Sequence, residues 1–196
     1  MATATLPRLM TTDELLAFPD DGVERWLMHG ELREKRAILG EIPMTIRNRF
    51  HSEVMVALAA CLKNWRDAQP EPRGAVLAGE AGVRLTQDPQ TTVGVDVVYV
   101  TPEVWARQSD ETTLIEGVPA LAVEILSPTD TVDEIHEKIN AYLSAGVQLV
   151  WIIDPYARTV TIYQPSARPT LVNEGQTLCG DPVLPGFRVP LAELFR

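Results

Sequence analysis

Cysteine is scarce. Cys61 and Cys179 are the only two among 196 residues, far apart and without metal-ligand spacing, so neither a disulfide framework nor a zinc module has support. Long apolar runs are also lacking: the longest, such as residues 149–153, are strand-sized, well short of the ~20 residues that cross a bilayer. Residues 1–10 hold one arginine and no apolar stretch of a secretory leader, and the chain is expected to be cytoplasmic, with no membrane association. Positive charge is in short supply. With 17 Lys and Arg against 27 Asp and Glu the net charge is −10, which opposes nonspecific attraction to nucleic-acid phosphates. One stretch, residues 33–49, is locally basic, holding Arg33, Lys35, Arg36, Arg47 and Arg49 against Glu34 and Glu41; an ordinary solvated surface has the same look.

What is present suits one globular domain over residues 1–196. Hydrophobic residues make up 45% and charged residues 22%, enough to bury a core and too apolar for general disorder. Thr11-Thr12-Asp13-Glu14-Leu15-Leu16 opens a short helix, closed by Pro19-Asp20-Asp21-Gly22. Residues 23–38, with Gly30 between two short runs, predict a hairpin. Residues 48–67 predict a long helix in which Val54, Leu58, Cys61 and Trp65 form an apolar stripe, with His51 near it in the first turn. Strands are predicted over 75–85, broken near 79–82, over 93–100 and over 120–126. The last two are apolar on both faces, as in a sheet covered on two sides. A helix over 133–145 ends at Gly146, a buried strand follows over 148–153, and an alternating, half-exposed partner lies over 158–164. This order describes an α/β or α+β domain: a mixed central sheet flanked by helices, preceded by an N-terminal helix and hairpin.

Two of the apolar strands each carry one carboxylate, Asp96 in Val95-Asp96-Val97 and Glu124 in Val123-Glu124-Ile125. A buried carboxylate costs several kcal/mol unless paired, protonated or bound to a metal. Two together could hold one divalent cation, and Mg²⁺ suits carboxylate oxygens. A structural salt bridge or a solvated strand end accounts for them equally well. On the helix over 133–145, Ile135, Ile139 and Tyr142 define an apolar stripe and Lys138 falls at its edge, while Glu134, Glu137 and Asn140 take more exposed directions. Lys138 therefore either snorkels to water or offers its ammonium to a buried carboxylate, with Glu124 nearest in sequence.

The succession Trp26-Leu27-Met28-His29-Gly30-Glu31-Leu32, His51 opening a helix, Val95-Asp96-Val97, Ala122-Val123-Glu124-Ile125-Leu126-Ser127-Pro128, Glu137-Lys138 with Tyr142, Trp151-Ile152-Ile153-Asp154-Pro155 and Val183-Leu184-Pro185-Gly186-Phe187 resembles the Uma-two family of restriction-endonuclease-like proteins, in the PD-(D/E)XK nuclease superfamily. The resemblance implies a restriction-endonuclease-like core with Asp96 and Glu124 as the motif acids and metal ligands. Leu126 stands where the superfamily places its lysine, and Lys138 resembles the migrated lysine of this family. Val95 replaces the proline before the first acid, and Trp26 stands where relatives often carry a glutamate, although Glu31 remains. Glu80 is a further candidate ligand, and His51 either binds phosphate or packs.

The implied activity is Mg²⁺-dependent endonucleolytic cleavage of DNA, with Mn²⁺ as a substitute. Catalysis would rest on Asp96, Glu124 and Lys138, with the cation polarising the phosphate and activating water. Lys138 could deprotonate that water only if its pKa were pulled well down, and would otherwise stabilise the phosphorane. A homodimer is implied by the resemblance and by strand edges that need cover. Two other readings are consistent with the acidic charge: a catalytically silent interaction or regulatory protein that retains the fold, and a metal-dependent hydrolase of a smaller phosphorylated substrate.

Overall fold

The structure, a computed structural model, describes residues 8–19, 21–35 and 48–196. In chain order these form α1 (Thr12–Leu16), β1 (Arg25–Met28), β2 (Glu31–Glu34), α2 (Arg49–Asp67), β3 (Ala75–Gln87), β4 (Gln90–Val100), α3 (Pro102–Trp105), β5 (Ile115–Glu116), β6 (Leu121–Ile125), α4 (Val132–Ala145), β7 (Leu149–Asp154), β8 (Thr159–Tyr163), β9 (Thr170–Asn173), β10 (Thr177–Cys179), β11 (Arg188–Pro190) and a closing 3₁₀ turn, Leu191–Phe195. Residues 36–47 of the basic stretch, including Arg36, Glu41 and Arg47, lie outside the described residues.

Nine of these strands make one mixed sheet in the order β2-β1-β4-β6-β7-β8-β9, with β3 also paired to β4 and the short β5 to β3. Only β6–β7 and β3–β5 run parallel. A parallel pair cannot be joined by a tight turn, and α4 supplies the crossover between β6 and β7. Both faces are covered, as the apolar runs of β4 and β6, each interrupted by one carboxylate, predict. On one face Val97, Tyr99, Leu121 and Val123 pack with α2 and the C-terminal segment; on the other Val98, Val100, Ala122 and Val150 pack with α4.

The two helices that flank the site have clear stop and start signals. Thr131 and Glu134 form a capping box at the start of α4, and Gly146, at φ 104°, closes it in the left-handed conformation that glycine adopts without a Cβ penalty. The side chain of Asn48 caps α2 by accepting from the His51 backbone N–H. The buried line of α2 is His51, Val54, Leu58 and Leu62, so the expected stripe is shifted at its far end: Cys61 and Trp65 sit half-buried on the flank. Three successive steps that average close to 3.6 residues keep Leu62 central, while Trp65 donates its indole N–H to the Pro185 carbonyl.

The break expected near residues 79–82 is a bulge within one continuous strand. Pairing with β4 shifts between Ala78 and Ala81, where Gly79 and Glu80 both have positive φ. The surplus residues bend β3 while the ladder resumes on either side.

Candidate active site

The site forms where the β4–β6 ladder ends. Val97 pairs with Val123, Val98 with Ala122 and Tyr99 with Leu121, so the next opposed positions are Asp96 and Glu124. Opposed residues of antiparallel neighbours share a face, and two-residue periodicity places both acids on the face of Val98 and Ala122, which α4 covers. Both are only 5% exposed. At this point a side chain takes over from the ladder: the Ile125 backbone N–H donates to Asp96 Oδ2 at 2.8 Å.

Helix α4 brings two donors, one turn apart, to Glu124. Lys138 Nζ donates to Oε2 at 2.9 Å, and the Tyr142 hydroxyl donates to Oε1. From the side of α2, His51, itself 1% exposed, places Nε2 3.2 Å from Asp96 Oδ2. Its Nδ1 is buried with no hydrogen-bond partner among the described residues.

The electrostatics follow from burial and crowding. Burial pushes the Glu124 carboxyl above its ordinary range; the Lys138 ammonium opposes this, and the nearby Asp96 carboxylate adds to it. For Lys138, burial alone would lower the pKa, but the Glu124 carboxylate outweighs it and the net direction is upward. Facing Glu124, Lys138 is held in its ammonium form, the form in which it would stabilise the phosphorane. Burial, with the Glu124 carboxylate, holds the Tyr142 phenol far above its usual value, so it is a fixed donor.

Asp96, Glu124, Lys138, His51, Trp26 and Glu80 all line one open cavity of about 380 Å³. The three residues expected to carry chemistry are therefore brought together, and Trp26 puts its ring centroid 5.8 Å from Lys138 Nζ. Glu80 is exposed at the rim, on the β3 bulge. Glu31 is not at the site: it is exposed on β2 and bonded to Arg33. Tyr142 was expected only as an apolar stripe residue. The available signal was its i+4 relation to Lys138, since a phenol tip carried to the same place needs a partner when buried.

Arg33 and Lys35 are not free to meet phosphates either. Arg33 forks onto Glu137, which stays partly exposed while it is held on the hairpin, and Lys35 bonds Asp130 at 2.6 Å. These pairs tie the β1–β2 hairpin to the loop and helix that carry Lys138.

A divalent cation fits the donor set in chemistry. Asp96 and Glu124 offer hard carboxylate oxygens at adjoining register positions, Asp96 Oδ1 accepts no protein hydrogen bond among the described residues, and the mutual repulsion of the two acids is what a cation would relieve. Among the described residues no three His, Cys, Asp or Glu side chains converge closely enough to hold a metal by themselves, so water or substrate oxygens would complete the shell.

A solved structure from Anabaena variabilis, described as a putative nuclease belonging to DUF820, matches with a TM-score of 0.77 over 96% of this chain and 98% of that one, at 16% identity. The chain belongs to the Uma2 family, described as "Putative restriction endonuclease", whose profile matches residues 21–192. Among curated proteins none matches. Among the described residues no helix is long and apolar enough to cross a membrane.

Proposed function

We propose that this chain is a Mg²⁺-dependent endonuclease that hydrolyses DNA phosphodiester bonds, with Asp96 and Glu124 as the cation ligands and Lys138 as the charged catalytic group. The observation that carries the reading is the opposed Asp96–Glu124 pair with the Lys138 ammonium 2.9 Å from Glu124 in an open cavity. A cation bound there supplies polarisation of the phosphoryl group and a more acidic water; Mn²⁺ would serve as well. Lys138, already protonated, contributes as a fixed positive charge close to where negative charge develops on the phosphorus oxygens. Tyr142 and Lys138 fix the orientation of Glu124, and the Ile125 N–H and His51 fix that of Asp96. The test is cleavage of single- and double-stranded DNA with Mg²⁺, with Mn²⁺ and with a chelator, comparing the unaltered chain with Lys138→Met; metal-dependent nicking lost in a variant that still unfolds cooperatively above the assay temperature supports the reading.

A second reading, a silent interaction protein that keeps the nuclease fold, draws on one observation: both Glu124 oxygens already have protein donors. Absence of cleavage on every substrate, together with absence of cation binding, would favour it. We also propose a single domain, a cytoplasmic location, consistent with the free thiols Cys61 and Cys179, and a homodimer. The last is supported by β9, which ends the sheet path with Leu171 exposed, and sheet edges are covered most simply by a second copy.

A further inference from the structure

Phe50 and Tyr156 stand on the surface at the end of the sheet where the carboxylates lie. Phe50 directly precedes His51, whose ring meets Asp96. Tyr156 lies three residues past Ile153, which pairs with Ile125 at the end of β6. The Asp154 carboxylate fixes that turn by accepting the backbone N–H groups of both Tyr156 and Ala157 at 2.9 Å. The two rings make an edge-to-face contact, centroids 5.7 Å apart and planes at 65°, and they remain 38% and 54% exposed. The Arg49 guanidinium lies over the Phe50 ring, 4.3 Å from its centroid.

This group differs from the rest of the surface around it. Arg25, Arg33 and Lys35 are each committed to carboxylates, whereas Arg49 forms no ion pair among the described residues and rests on an aromatic face. Neither ring belongs to the two apolar clusters of the core. Two exposed rings in an edge-to-face pair, beside a cation that pairs with no carboxylate among the described residues, offer apolar ring surface and a phosphate-seeking charge within one nucleotide's reach.

We propose that Arg49, Phe50 and Tyr156 form a stacking shelf for an unpaired nucleotide, so that the strand presented to Asp96 and Glu124 is single-stranded or locally splayed. This rests on the nucleic-acid reading above. In a duplex the faces of the bases are covered by their neighbours, and a ring on the protein surface cannot reach them; only an unpaired base offers a face to Tyr156 or Phe50. The charge argues the same way. A chain at −10 is poorly suited to embrace two phosphate strands, while stacking needs few phosphate contacts.

The test measures binding of three labelled probes to the full chain at low salt, with Ca²⁺ in place of Mg²⁺: an oligothymidine strand, an abasic strand with the same number of phosphates, and a duplex of the same length. The thymidine strand should bind about 5- to 150-fold more tightly than the abasic strand, the span that one stacked base provides. Tyr156→Ala and Tyr156→Leu should both erase most of that difference and Tyr156→Trp should keep it. Because Tyr156 is exposed, the fold survives these changes, and a circular dichroism melt checks this. Equal binding of the thymidine and abasic strands, or a Leu variant that binds as the unaltered chain does, overturns the shelf. Self-association lost in Tyr156→Ala with strand affinity unchanged also overturns it, and identifies the rings as a contact between copies. Duplex that is bound as tightly as the thymidine strand regardless of Tyr156 leaves the nuclease reading standing without the shelf; no binding of any probe removes both.

Discussion

Lys138 Nζ and Glu124 Oε2 are 2.9 Å apart, and each is the other's reason for being charged while buried. Removing one partner of such a pair strands the other, at a cost of about 3–5 kcal/mol, whereas replacing both with apolar or neutral groups is often close to neutral. Lys138→Met should therefore destabilise the chain strongly, Glu124→Gln should do the same, and the double variant should recover most of the loss while remaining inactive. Denaturant unfolding of the three variants checks this; additive losses in the double variant would show that the pair is not coupled.

Tyr142 makes a smaller but cleaner test. Tyr142→Phe keeps the ring in its fully buried place and removes only the hydroxyl that serves Glu124 Oε1. Leaving that oxygen short of a donor should cost about 1–3 kcal/mol and reduce DNA cleavage, with a larger effect on kcat than on KM because no substrate contact is lost. Unfolding midpoints and steady-state kinetics report the two effects separately.

Acid sensitivity should come in part from Asp130. Burial alone would raise its carboxyl, but the hydrogen bonds from the Lys35 ammonium and the Ser127 backbone N–H outweigh burial and hold it below the ordinary 3.8. A carboxyl depressed in the folded state adds stability that is complete above the unfolded value and is lost as pH falls through the folded one. Asp130→Asn should accordingly be less stable near neutral pH by about 1–3 kcal/mol, and the gap should close as pH drops below about 4. Urea melts across that range measure it, and a gap that widens in acid would contradict the assignment.

The basic stretch should divide by function. Arg49→Glu should weaken DNA binding and reduce the slope of log affinity against log salt by about one contact's share, ~0.9 for duplex DNA and ~0.7 for a single strand. Arg33→Gln breaks a fork onto Glu137 and should lower stability while leaving that slope alone. Salt titrations of the two variants side by side decide between these roles.

Much of this was legible in the sequence because periodicity and burial rules act locally. A lone acid in Val95-Asp96-Val97 and another in Val123-Glu124-Ile125 each need a partner or solvent, and the edge position of Lys138 leaves two outcomes, bulk water or a buried carboxylate, between which the fold selects Glu124. What could not be read was set by tertiary pairing. The strands β9, β10 and β11 have three or four residues each, too short for a period to declare itself. Likewise Arg33 and Lys35 resemble a phosphate-binding patch until the fold brings Glu137 and Asp130, roughly a hundred residues away, onto them. The contact of His51 with Asp96 depends on α2 meeting the end of the β4–β6 ladder, which no helical pattern encodes.

The most direct test of the central claim is calorimetric titration of Mn²⁺ into the unaltered chain and into Asp96→Asn and Glu124→Gln, with each preparation assayed for DNA cleavage. The opposed carboxylates predict a site that titrates in the unaltered chain, is lost or greatly weakened in both variants, and disappears together with cleavage. Mn²⁺ affinity that is unchanged in both variants, or cleavage that persists without it, would contradict the assignment of Asp96 and Glu124 as the cation ligands.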